Sequence, residues 1–294
     1  MNVSIGINPI TWSNDDLQYV GGNIPLKTCL REASAAGYDG VELGHKFPRD
    51  VAILKPLLDE HGLALVSGWY SSQLLQRDSK AEAAAMSAHA GLLQQMGCDV
   101  LIVAEVTGCI HSMPVTRLSQ RPRLSSPDWQ QFGRRMSELG KICAGQGLKL
   151  CYHHHMGTVV QSASDIDALM NETSEEVYLL LDTGHAVFAG ADPVELAEQY
   201  GERIGHVHCK DIREAVLRRC QNRDSSFLEA VLDGAFTVPG DGFIPFERVF
   251  SVLSKKAYQG WLVVEAEQDP SVAPPEKYAQ LGASNLRSMI SVLH

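Results

Sequence analysis

Tyr178-Leu179-Leu180-Leu181-Asp182-Thr183-Gly184-His185 and Ile204-Gly205-His206-Val207-His208-Cys209-Lys210-Asp211 are two short apolar runs that each end in side chains able to bind a metal. Their apolar character is nearly continuous rather than alternating, as parallel strands covered by helices require. Between them Pro193–Tyr200 reads as a helix, with the proline in a first turn where a missing N–H costs nothing. This strand-and-helix unit sets the pattern for the chain.

Outward from it the pattern recurs. Strands are expected at Val3–Asn8, Gly40–Leu43, Ala64–Trp69, Val100–Glu105, Leu148–His153, Tyr178–Asp182, Ile204–Lys210 and Trp261–Glu265. Helices are expected at Leu26–Ala36, Asp50–Glu60, Lys80–Met96, Asp128–Gln146, Ser162–Met170, Pro193–Tyr200, Pro245–Lys256 and Pro275–Leu293. A doubly wound open sheet would show the same alternation. It would also carry a G-x-G-x-x-G after the first strand, which is absent here, and would gather its polar residues at one switch point. Here many strands end in polar groups, so the expected fold is a (β/α)8 barrel, α/β class, with residues 1–294 forming one domain. Thr107–Pro127 and Arg213–Asp241 exceed ordinary connections. Both follow strand carboxyl ends, so they are candidate lids over the barrel mouth.

Composition narrows the function. Lys and Arg number 25 against 35 Asp and Glu, a formal charge of −10 that repels a phosphate backbone, so nucleic acid is not expected as a partner. Met1–Pro9 lacks a charged segment followed by a long apolar one, and no run approaches a membrane span, which reads as a soluble, cytoplasmic protein. Seven scattered cysteines form no C-x-x-C pair and argue against a disulfide framework. Association of identical chains is compatible with all of this.

Four consecutive late strands end in ligand-type residues: Tyr152-His153-His154-His155, Asp182 with His185, His206-Val207-His208, and Glu265-Ala266-Glu267. An imidazole and carboxylate set suits Mn²⁺, Co²⁺, Fe²⁺ or Zn²⁺ better than Mg²⁺. Residues two apart on a strand share a side, so His153 pairs with His155, His206 with His208 and Glu265 with Glu267; the sequence leaves open which member of each pair reaches the ion. Among the early strands, Glu42 reads either as a general base or as a partner of Lys46 or Arg49. Trp12, Trp69 and Tyr70 offer an apolar wall for a sugar-like ring. Lys210 reads either as an electrostatic aid at a reacting oxygen or as a partner of Asp211 or Glu267, and Asp241 reads as turn chemistry. A divalent ion beside such bases suits proton abstraction next to a carbonyl.

With these residues in view, the sequence resembles the xylose isomerase-like barrel superfamily and, within it, the inosose dehydratase family of myo-inositol catabolism, over essentially the whole chain. The resemblance rests on Gly6–Trp12, Gly40–Arg49, Tyr152–Thr158 and Leu181–His185, with the Asp-x-x-His and His-x-Lys-Asp patterns common to the superfamily. It implies metal ligands at Asp182, His208 and Glu265, and at His153 where the superfamily commonly has a glutamate; His155 takes the place of a catalytic histidine. It further implies a hydro-lyase that converts scyllo-inosose, a polyol ketone, to a trihydroxycyclohexane-1,2-dione and water, with Mn²⁺ or Co²⁺ and with glutathione as a further cofactor. His155 or His185 would carry protons, Glu42 would be the alternative base and Lys210 would assist. The rival readings are a ketose epimerase or isomerase on the same metal barrel, a metal-dependent DNA-repair nuclease, and a non-catalytic sugar-binding protein with a structural ion.

Overall fold

Eight of the apolar runs pair edge to edge and close on themselves in the computed structural model, which describes residues 1–292. The barrel strands are β1 (Val3–Ile7), β2 (Gly40–Leu43), β3 (Ala64–Ser72), β4 (Val100–Glu105), β5 (Lys149–His153), β6 (Val177–Asp182), β7 (Ile204–Cys209) and β10 (Gly260–Val264). Every neighbouring pair is parallel, and β1 against β10 closes the ring. This is the (β/α)8 barrel expected from the sequence. A closed ring leaves no unpaired strand edge.

The helices α1 (Leu26–Ala35), α2 (Val51–Asp59), α3 (Ser79–Gln95), α4 (Ser126–Gly145), α5 (Ala163–Glu172), α7 (Pro193–Tyr200), α10 (Phe246–Lys255) and α11 (Pro275–Ser291) follow the expected positions within a few residues. The expected end of the last one, Leu293, lies outside the described residues. Asp50, Asp78, Ser125, Ser162 and Asp192 each accept a backbone N–H in the following first turn. Losing such a cap costs about 1 kcal/mol. Gly97 and Gly147 adopt positive φ (82° and 78°) where α3 and α4 turn back toward the next strand.

The structure corrects the sequence reading in the late half. Thr183–Phe188 forms a short helix, α6, begun by Asp182, whose Oδ1 accepts from His185 N at 2.7 Å. Arg213–Asp241 is not a plain loop: it folds as α8 (Glu214–Arg223) and α9 (Phe227–Leu232), with β8 (Asp211–Ile212) antiparallel to β9 (Phe236–Thr237). The signal for α9 was present as Ser226-Phe227-Leu228-Glu229, a reciprocal capping box.

Both long segments stand over the carboxyl ends of the strands, and both are pinned. Ile110 N donates to Gly157 O at 2.9 Å. The buried Arg121 binds the carbonyl of Thr158 and, at 2.6 Å, the carboxylate of Asp165. The segments also hold each other, through Ser226 Oγ to Pro114 O (2.6 Å) and Ser119 N to Asp224 Oδ1 (3.0 Å). They form a built wall. All seven cysteines are free thiols, and no helix among the described residues is long and apolar enough to cross a membrane.

Candidate metal centre and active-site cavity

Strand parity selects the ligands. Val100, Ile102, Cys151 and Leu180 form a separate apolar layer, and the next residue of the same parity on β5 is His153, on β6 Asp182. Register then sets Asp182 beside His208 and His208 beside Val263, two residues before Glu265. His153, Asp182, His208 and Glu265 consequently converge, one ligand atom from each within 4.8 Å of every other.

Nε2 of His153 lies 3.2 Å from Nδ1 of His208, 3.5 Å from Asp182 Oδ2 and 3.8 Å from Glu265 Oε2. Nδ1 of His208 lies 3.6 Å from Asp182 Oδ2. Atoms bound at about 2.1 Å to one ion stand about 3.0–3.4 Å apart. The distances here fall on both sides of that range, from 2.5 Å between His208 and Glu265 to 3.8 Å between His153 and Glu265, so small side-chain shifts would complete a coordination shell. Asp182 Oδ2 and Glu265 Oε2 are buried without a hydrogen-bond partner. The donor set therefore fits a divalent ion: buried carboxylate oxygens are not left unpaired unless a cation serves them.

Glu42 fixes the tautomer of His208. Its Oε1 receives His206 Nε2 (2.9 Å), His208 Nε2 (3.1 Å) and Ser67 Oγ (2.7 Å), and its Oε2 receives Asn8 Nδ2 (2.7 Å). Burial alone would favour the neutral acid, but the charge of His208 and the hydrogen bonds from both histidines hold Glu42 well below the usual carboxylate range. An ionised carboxylate only accepts, so Nε2 of His208 keeps its hydrogen in either charge state, and it is Nδ1, 2.5 Å from Glu265 Oε2, that gives up a proton to offer a lone pair to an ion. A proton on Nδ1 serves this contact in the metal-free protein, and a divalent ion beside both atoms would replace it. The alternative pairing of Glu42 with Lys46 or Arg49 does not occur: Lys46 Nζ donates to the carbonyls of Gly21, Gly22 and Ile24, and Arg49 to that of Gly44.

Lys210 is fully buried with its ammonium 3.6 Å from Glu265, 3.6 Å from Glu267, 3.8 Å from Asp182 and 3.0 Å from Nε2 of His185. Burial opposes its charge, yet the three carboxylates outweigh burial and raise its pKa. The pairing with Asp211 entertained from the sequence is absent. Asp211 instead accepts from the backbone N–H groups of Ile212, Gly240, Gly242 and Ile244, and so shapes the Pro239–Gly242 turn. Asp241 does act in that turn, accepting from Thr237 and Arg213. Glu267 is raised to about 7 by burial, partly opposed by Lys210.

A cavity of about 220 Å³ opens beside the cluster, lined among others by Glu265, Glu267, His155, Asp16 and His111. His155 Nδ1 faces the carbonyl of Met156 at 2.8 Å. A carbonyl only accepts, so Nδ1 bears the hydrogen and Nε2 is a free lone pair. Burial, then the neighbouring charges of His111, His153 and Lys210, hold this imidazole well below its ordinary pKa. His185 packs against it with a tilted ring at 4.0 Å, and Phe227 of α9 lies edge-on at 4.8 Å. Of the three aromatic residues expected to form a wall, Trp69 does so, edge-on to His153 and His155 at 5.3 and 5.7 Å. Trp12 is a core residue tied to Glu32, and Tyr70 points to Glu82. Asp16 and His111 were missed because they sit on connections, where no strand period marks a residue as inward-facing.

The fold and the donor set define a barrel of the metal-binding kind, and comparison with known proteins agrees. Residues 30–289 match the family described as xylose isomerase-like TIM barrel. The chain is 47% identical over 289 residues (98% of this chain, 89% of the relative) to the rhizopine catabolism protein MocC of Rhizobium meliloti. It is 41% identical over 292 residues (99% and 98%) to the inosose dehydratase of Clostridium botulinum. A solved structure titled as the IOLI protein with a binding zinc atom superposes with a TM-score of 0.71 over 100% of this chain and 99% of that one, at 17% identity, a likeness of fold. The chain belongs to the xylose isomerase-like TIM barrel family and, within it, to the inosose dehydratase group.

Proposed function

We propose that this protein is a metal-dependent hydro-lyase that removes one water from scyllo-inosose to give a trihydroxycyclohexane-1,2-dione. The observation that carries the reading is the convergence of His153, Asp182, His208 and Glu265 beside a cavity with its own proton-carrying groups, in a chain 41% identical to an inosose dehydratase.

Those four residues would hold a divalent ion, Mn²⁺ or Co²⁺ in our assignment, which when bound would supply a Lewis acid for the ketone oxygen. Nε2 of His155 takes the proton from the hydroxyl-bearing carbon next to the ketone. The C–H electron pair becomes the new C=C bond, the hydroxyl on the following carbon leaves as water, and the enol formed tautomerises to the dione. His185, packed against His155, holds that ring in place. Lys210 keeps Glu265 ionised and its position fixed. Glu42 is a positioning residue for His208 rather than a base, since the hydrogen bonds and charge of the two histidines stabilise its ionised form and make it a weak proton acceptor. We assign the reaction to the cytoplasm. Glutathione enters only as an additive to be tested.

The test is anaerobic turnover of scyllo-inosose by metal-stripped protein, with and without Mn²⁺ or Co²⁺ and with and without glutathione, followed by product mass and ultraviolet absorbance. Metal-dependent loss of one water supports the reading. Conversion at unchanged mass makes the protein an epimerase or isomerase instead.

A further inference from the structure

The base described above accounts for one of the two proton transfers that loss of water demands. A hydroxyl does not leave carbon as hydroxide at useful rates, so an acid must meet the departing oxygen, and such an acid contributes about 10²–10⁴-fold. Most polar groups of the cavity are already engaged. Asp15 is held by His45 at 2.5 Å, Ser71 by the Trp69 indole at 2.9 Å, and Glu267 by Asn14 at 2.8 Å and by Lys210.

Two groups are not. His111 and Asp16 face each other across the rim, with Nε2 of the imidazole 4.0 Å from Oδ1 of the carboxylate, beyond hydrogen-bond length. Nδ1 of His111 is buried without a partner. A hydroxyl oxygen about 2.8 Å from both atoms fits at the apex of that gap. Resting on the dehydratase reading, we propose that His111 and Asp16 act as one acid, delivering the proton to the departing hydroxyl.

The substrate's stereochemistry supports the placement. In scyllo-inosose neighbouring hydroxyls are trans, so the hydrogen on the carbon next to the ketone and the hydroxyl on the following carbon lie on one face of the ring. Base and acid must then stand side by side. The ring of His111 stands edge-on to that of His155 with centroids 5.3 Å apart. Across an enzyme cavity a lone acid on the opposite wall would reach only the wrong face.

Both carriers are rigidly mounted. Asn14 fixes the Asp16 loop, its Oδ1 accepting from Asp16 N (2.8 Å) and Leu17 N (2.6 Å) while its Nδ2 grips Glu267. His111 sits against Gly157, where φ is +77° and a Cβ would come within 2.9 Å of His111 N, so only glycine permits the approach. With one proton bound, the pair is either imidazolium with carboxylate or imidazole with carboxylic acid. Burial, raising Asp16 and lowering His111, favours the second form; His155, Asp15, Glu267 and Cys109 are the other titratable groups that face the pair. The balance closes as follows: His155 gains the carbon-bound proton, the pair loses one to the departing oxygen, and water is released. On tautomerisation His155 returns its proton to the carbon that lost the hydroxyl, and the enol O–H proton recharges the pair through solvent.

The experiment uses metal-loaded His111→Gln and Asp16→Asn, with metal content and melting temperature checked, in D₂O with scyllo-inosose. Deuterium entering recovered substrate reports proton abstraction, and dione reports water loss. Each variant is expected to lose about 10²-fold or more in dione formation while still exchanging deuterium. An analogue with fluorine in place of the departing hydroxyl, which needs no acid, should be turned over by His111→Gln near the wild-type rate. Equal loss of exchange and dione formation, unchanged dione formation, or no recovery with the fluorinated analogue overturns the assignment. Wild-type protein that neither exchanges nor dehydrates scyllo-inosose overturns the reaction itself, and with it the acid.

Discussion

Nε2 of His208 donates to Oε1 of Glu42 at 3.1 Å, and this one bond decides which nitrogen of His208 is free for the metal. Glu42→Gln keeps the shape but removes the charge that holds the hydrogen on Nε2. Metal affinity is expected to fall about 10–100-fold, as for other residues behind a ligating histidine. Competition titration against a chelator measures it; unchanged affinity would mean that Glu42 does not orient His208.

Asp182 serves two structures with its two oxygens. Oδ1 caps α6 through His185 N, and Oδ2 faces the cluster. Asp182→Asn and Asp182→Ala should both abolish metal binding and turnover, whereas only the alanine variant also loses the cap. In chelator it should melt below the asparagine variant, by the equivalent of about 1 kcal/mol. Full activity and metal content in either variant would refute the ligand assignment.

Acid and base should act oppositely on metal loading. Burial opposes charge on His153 and His208, but Asp182, Glu265 and Glu42 outweigh it, so both folded-state pKa values lie above the ordinary one, His208 well above. The stability these groups contribute in metal-free protein is complete below about pH 6.5 and is lost as pH rises through the raised values. The melting temperature in chelator should therefore fall as pH rises above the ordinary histidine value of about 6.5. Over the same interval metal affinity should rise, because each ion displaces protons. Calorimetry in buffers of different ionisation enthalpy counts them; binding without proton release contradicts the assignment.

A methyl group at Gly184 would stand 2.5–2.8 Å from Cγ, Cβ and Cδ of Lys210. Gly184→Ala is expected to push the ammonium away from Glu265 and Glu267 and to cost about 10²-fold in turnover, a penalty typical of a 1 Å displacement in an active site. Steady-state kinetics on metal-loaded protein tests it, and wild-type kcat would show that Lys210 has room to yield.

The barrel was legible because its signal is local: each strand is a short apolar run, and each helix carries its own period and punctuation. The four cluster residues were legible as strand ends, with parity narrowing each pair to two. The choice of His153 over His155, or of His208 over His206, was not legible. It depends on register between strands, and register is a property of pairs of segments. Glu42 was read either as a base or as a partner of Lys46 or Arg49, and its partners were not legible for the same reason, since Ser67, His206 and His208 come from other strands. Trp12 and Trp69 look alike in sequence, and only the packed barrel sends one to the core and the other to the cavity.

Closure of the ring by β1 against β10 has a consequence for the order in which a ribosome delivers this chain. Asn8 and Glu42 emerge early, His208 much later, and Glu265 follows only after the strand that seals the barrel. A nascent chain halted before Gly260 holds the ionised Glu42 and the histidines it orients, yet lacks the carboxylate that completes the cluster and the strand that shields it. The candidate metal cluster is thus completed last, and an ion captured there would mark a chain whose synthesis has passed its final strand.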